Sequence, residues 1–177
     1  MVKLLKCSGI VQVNAKATRY LDSLDVWHIE VAGPFDNTTN DHIINDTRKS
    51  LCTDLLNLII ILRNHLDCDV NTTIKIKMFC IQTIKTRLTL YALNMLSNGY
   101  FFSSELISVD ISFSFNGKSQ YKSILRMMAI FHDEIAKQVM LMDEINKCVL
   151  RSNRTTVCAT QYLQSSFGIV SLDYEIM

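Results

Sequence analysis

Proline is almost absent from this sequence: Pro34 stands alone, and glycine occurs five times. So few turn formers exclude a turn-rich β-sandwich and a flexible linker between domains. Net charge is nearly absent too, at +1 over 177 residues. No bulk attraction to nucleic acid follows, and an anion has to be met by local patches. No apolar run reaches the ~20 residues of a membrane-spanning helix. The longest, Leu55 to Leu62, reads LLNLIIIL. Six cysteines (Cys7, Cys52, Cys68, Cys80, Cys148 and Cys158) form no CxxC pair. The opening MVKLLKCSGIVQV has its apolar run broken by Lys6, Cys7 and Ser8, unlike a secretory leader. Reduced thiols in a cytosolic chain are therefore expected. The sequons at Asn37, Asn45, Asn71 and Asn153 are then expected to stay unmodified.

Catalytic signatures are missing as well. There is no phosphate-binding loop, no GxGxxG and no GxSxG. His28, His42, His65 and His132 show no ligand-like spacing with one another or with a cysteine. The run HDE at 132–134 points in three directions around a helix and reads as a solvated face. No enzyme, cofactor, metal or small-molecule substrate is expected.

What is present fits one folded domain: 49% of residues are hydrophobic and 20% charged. The segment 1–20 reads as a short basic and apolar arm with a strand near Ile10 to Val13, and 21–177 as the core domain. DVWHIEV alternates, Trp27, Ile29 and Val31 against Val26, His28 and Glu30, which predicts a strand ended by Gly33-Pro34. From about Asp41 to Leu66 the spacing of Ile43, Ile44, Leu51, Leu55, Leu58, Ile59 and Leu62 predicts an amphipathic helix. IKIKMFCIQTIKTR, residues 74–87, reads as one long strand. Leu88, Tyr91, Ala92, Met95 and Leu96 fit a helical face capped at Asn98-Gly99. LISVDISFSFNG alternates Ile107, Val109, Ile111, Phe113 and Phe115 with polar residues, a strand ended by Asn116-Gly117. Residues 119 to about 150 read as one long helix or two. TTVCA and GIVSLDYEI read as short tail strands. This order predicts an α+β fold with a mainly antiparallel sheet and helices packed on one side.

Two basic rows and one apolar helix are the candidate surfaces. Lys75, Lys77, Lys85 and Arg87 share a face of the expected strand, where they either guard a sheet edge or meet phosphate. Lys3, Lys6, Lys16 and Arg19 interleave with Val2, Leu4 and Leu5 and suit an anionic headgroup surface. The acids cluster elsewhere, and a neutral chain with patchy charge suits association with itself. RMMAIFHDEIAKQVMLM reads first as a core helix buried on one and a half faces, but Met127 and Met140 are hard to bury together with Met128 and Met142, and an oligomer contact would explain the excess. Met127, Met128, Phe131, Met140 and Met142 are therefore candidates for self-association.

The order DVWHIEVAGPF, long helix, TTIKIKMFCIQTI, then LISVDISFSFNG and a helix containing QYKSILRMMAIF, resembles the rhabdovirus matrix proteins across most of the chain. In size it is similar to plant cytorhabdovirus members. The resemblance implies a non-enzymatic viral structural protein that self-associates, condenses the helical nucleocapsid and bridges it to the inner face of the envelope. Its implied partners are further copies of itself, the viral nucleocapsid protein and an anionic membrane surface. Its implied location is the virion between nucleocapsid and envelope, and host cytoplasm and membranes during assembly. The chain departs from the family's animal-virus members in having no PPxY or PTAP motif and only a short arm. The alternative is a cytosolic virus-encoded regulator that binds a host protein. A nucleic-acid binder working through the Lys75 row lacks interleaved aromatics beyond Phe79.

Overall fold

The structure is a computed structural model that describes residues 15–18, 25–32, 40–65, 68–97, 99–111 and 115–149. Its elements are β1 (Ala15–Thr18), β2 (Asp25–Ala32), α1 (Asn40–Arg63), α2 (Val70–Thr73), β3 (Lys77–Ile84), β4 (Arg87–Met95), β5 (Phe101–Asp110), a 3-10 turn (Phe115–Gln120) and α3 (Tyr121–Val149). The five strands form one sheet in sequence order. Every neighbouring pair is antiparallel except β2 and β3, which run parallel because α1 carries the chain back between them. The α+β class with a mainly antiparallel sheet is thus observed. The expected strand at Ile10 to Val13 and both tail strands lie outside the described residues.

The arrangement of the helices differs from expectation: each face of the sheet carries one. Along β3, Met78 and Cys80 point to the α1 side, and Phe79 and Ile81 point to the α3 side; all four are buried. A strand covered on both faces loses the polar half of its alternation. On one side Phe79, Ile81, Leu90, Ala92 and Val109 meet Met127 and Phe131 of α3. Trp27 joins them with its ring edge-on to Phe131, centroids 5.5 Å apart, so it packs in the core as its alternation predicts. On the other side Leu55, Leu58, Ile61 and Leu62 of α1 cover Met78, Leu93 and Met95.

The long helix serves both cores. Its first half lies over Phe79 and Ile81, while Leu141, Met142 and Ile145 of its second half join the α1 cluster. The crossing is fixed at the start of β3. Gln138 Oε1 accepts from the Lys77 amide at 2.9 Å, and Gln138 Nε2 donates to the Lys75 carbonyl at 3.1 Å. One side-chain amide thereby pairs the strand as a neighbouring backbone would. Replacing Gln138 by alanine is expected to cost about 1–2 kcal/mol, since the Lys77 amide is left without a partner. Denaturant unfolding checks this.

Three segments differ from their expected form. Residues 74–87 are not one strand: Ile74 caps α2, β3 spans only Lys77–Ile84, and Arg87 begins β4. Residues 88–96 form no helix but the strand β4. Leu90, Ala92, Leu93 and Met95 are buried on its two faces, and a doubly covered strand imitates helical spacing. Gly99, at φ 84°, closes the β4–β5 hairpin rather than a helix. The Leu96 amide donates to the Tyr100 carbonyl there at 2.7 Å. β5 begins earlier than predicted and ends at Asp110. A register shift opposite Leu90 and Tyr91 gives β5 one extra residue, so that Leu106 and Ile107 both pack on the α3-side cluster.

Candidate functional site

The basic row at 75–87 does not exist as a surface. Phe79 and Ile81, in its middle, are core residues, and β3 lies between β2 and β4. Neither an edge guard nor a phosphate-facing row is possible at that position. Lys75 precedes the strand and Lys85 follows it, ~25 Å apart along eight residues of strand. Lys77 Nζ is paired with Glu134 Oε2 at 2.8 Å, and Arg87 Nη2 lies 3.9 Å from Glu105 Oε1. Of the other row, Lys16 is exposed on β1, while Lys3, Lys6 and Arg19 lie outside the described residues.

The HDE run divides. His132 and Asp133 are exposed, but Glu134 is mostly covered and bridges Lys77 and Lys137. Burial works to raise the Glu134 carboxyl; hydrogen bonds and charge from Lys137 and Lys77 outweigh it and hold the group below its ordinary range.

The self-association candidates also divide. Met127, Phe131 and Met142 are core residues and cannot meet a second chain. Met128 and Met140 are exposed; Met128 belongs to a wider apolar band that methionine content alone did not delimit, whereas Met140 lies about 100° round the helix from it. Tyr121, Leu125, Met128 and Val139 are 50%, 69%, 48% and 59% exposed. With His132 and half-buried Ile135 they recur every three or four residues and share one face of α3. Exposed Ala129 and Ala136 widen that face without adding bulk. From Tyr121 to Val139 the band is about 27 Å long. A large side chain spends apolar area in water at ~25 cal/mol per Å², so such a band on one helix marks an interaction surface.

A second feature is buried beneath α1. Thr47, Ser50 and Asp54, spaced three and four apart, face the sheet, where β2 presents His28 and Glu30 and β3 presents Cys80 and Gln82. His28, Glu30, Ser50, Asp54, Cys80 and Gln82 are all buried. Gln82 Nε2 donates to Thr47 Oγ1 at 2.7 Å, and that hydroxyl donates to the Ile43 carbonyl at 2.9 Å. One ligand-type atom from each of His28, Asp54 and Cys80 lies within 4.8 Å of the other two. His28 Nδ1 is 3.0 Å from Asp54 Oδ1. The two are poorly aligned for a hydrogen bond: Asp54 Oδ1, His28 Nε2 and Ser50 Oγ have no partner of good geometry. Burial raises the Asp54 carboxyl, with His28 opposing. Burial also pushes the Cys80 thiol up strongly, aided by the charges of Asp54 and Glu30 and opposed by the Ser50 hydroxyl. A thiol so held is a poor nucleophile, and a Cys-His-Asp hydrolase is not supported.

Sequence spacing did not bring this cluster together, because its members are remote in the chain. The available signal was polar residues at 47, 50 and 54 on the stripe that Leu58 and Ile61 continue. Comparison of the chain with protein-family models, curated proteins and solved structures finds no match.

Proposed function

We propose that this chain is a non-enzymatic structural protein that works by associating with itself, the exposed band of α3 forming the contact. The observation that carries this reading is the apolar face running from Tyr121 to Val139. Its occupant is a second copy of the same chain, because the band is self-complementary. Laid antiparallel about a two-fold near Ile130, Tyr121 meets Val139, Leu125 meets Ile135, and Met128 meets His132. A closed two-fold contact requires this kind of matching of a patch with itself.

The matrix role is the biological setting proposed for this association: a virion protein that condenses a nucleocapsid beneath an envelope. It rests on the resemblance in order of elements and on self-association. With the Lys75 row gone, the nucleocapsid contact has no assigned residues, and membrane contact is proposed for Lys3, Lys6, Lys16 and Arg19. No helix among the described residues is long and apolar enough to cross a membrane, so membrane contact is proposed as peripheral.

Sedimentation velocity over a range of protein concentrations tests the association. A dimer that dissociates on dilution is expected, and a strict monomer at high concentration would overturn it and leave a heterologous partner as the occupant of the band. Flotation with anionic against neutral liposomes tests the setting separately. Flotation with anionic lipid alone, lost in high salt, is expected; none at all removes the membrane half of the matrix role.

A further inference from the structure

The buried cluster beneath α1 has no part in the self-association described above. Its chemistry is that of a metal site. Three residues from three elements contribute imidazole, carboxylate and thiol: His28 of β2, Asp54 of α1 and Cys80 of β3. Their exposures are 2%, 2% and 3%. Groups so deeply buried are normally satisfied, yet His28 Nε2 and Asp54 Oδ1 are without hydrogen-bond partners. The 3.0 Å approach of His28 Nδ1 to Asp54 Oδ1 is too poorly aligned for donation. It is close to the edge of a tetrahedron whose bonds to the centre are ~2.0 Å. A cation seated between His28 Nδ1 and Asp54 Oδ1 would satisfy the carboxylate oxygen that the protein leaves without a partner.

We propose that His28, Asp54 and Cys80 are three ligands of a site for zinc or a similar thiophilic divalent cation. The donor set of one nitrogen, one oxygen and one sulfur suits a borderline metal and disfavours calcium and magnesium, which take oxygen. The ligand atoms span up to 4.8 Å, and bonds of about 2.0–2.3 Å require them to close by less than ~2 Å. A cavity of about 100 Å³ borders the cluster, lined by Thr47, Ser50, Asp54, Cys80, Gln82 and Tyr91 among others. With the ion bound, this cavity would leave room for a water as fourth ligand, Ser50 being among the residues that line it. Cys80 binds as the thiolate and releases its proton to solvent on loading. The ion would tie β2, β3 and α1 together.

The test uses the full chain freed of metal by chelation and titrated with Zn(II), then with Co(II) as a coloured stand-in. One equivalent of tight Zn(II) binding is expected, with a rise in Tm of about 5–10 °C at a hundredfold excess over Kd. Co(II) should give a sulfur-to-metal charge-transfer band. Cys80→Ser, His28→Gln and Asp54→Asn should each weaken binding at least tenfold, and Cys80→Ser should abolish the band. Cys52→Ser, which alters a thiol outside the cluster, should change neither. No binding or no band in the unaltered chain overturns the proposal, whatever the variants do. A band that survives Cys80→Ser also overturns it, by placing the metal on another cysteine.

Discussion

Replacing Phe131 by alanine is expected to cost about 3–5 kcal/mol of folding stability. Phe131 is 7% exposed. Its ring meets Trp27 at 5.5 Å and Phe79 at 5.8 Å, both in edge-to-face geometry, which adds to the area term. It is the residue by which α3 grips its face of the sheet, and the cavity left behind is lined by rings that cannot collapse into it. Urea or thermal unfolding measures the loss. The folded fraction of the variant should associate as the unaltered chain does, because Phe131 points away from the band. A variant that keeps its stability but loses association would reverse the assignment of Phe131 to the core.

The second large effect is on association. Leu125→Glu with Val139→Glu is expected to weaken the dimer roughly 100-fold or more, since four carboxylates enter one contact. Leu125 and Val139 are 69% and 59% exposed, so the monomer should unfold within about 0.5 kcal/mol of the parent. Sedimentation and thermal unfolding, run on the same sample, separate the two readouts. This contrast matters because the two positions and Phe131 lie on one helix. One face holds the fold together and the other is free to hold a second chain.

How far the sequence disclosed this follows from where its periodicity was single-faced. β2 and the long α1 and α3 were legible because each shows apolar residues at one spacing. β3 and β4 were not. Lys77 and Lys85 mark the ends of a strand covered on both faces, and reading them as one cationic face carried the alternation through Phe79 and Ile81, which are core. Leu88, Tyr91, Ala92 and Met95 matched a helix because a strand with both faces buried has apolar residues at almost any spacing. The Met-rich helix was legible as too apolar for one core. Which methionines were surplus was not, because that depends on the angle at which α3 crosses the sheet: Met127 and Met142 turn inward, Met128 and Met140 outward. The His28, Asp54 and Cys80 cluster needed the parallel pairing of β2 with β3, which sets His28 beside Cys80, and the seating of α1 above both.

A charge pair placed across the proposed two-fold tests self-association most directly. Val139→Glu sets a carboxylate against Tyr121 of the second chain, and adding Tyr121→Lys to the same molecule places opposite charges at both ends of the contact; both positions are exposed. The molar mass of each variant, measured by sedimentation equilibrium at low salt, is expected to shift toward the monomer for Val139→Glu and back toward the dimer for the double variant. Equal association by the parent, the single and the double variant, or a monomeric parent, would contradict the antiparallel α3 contact.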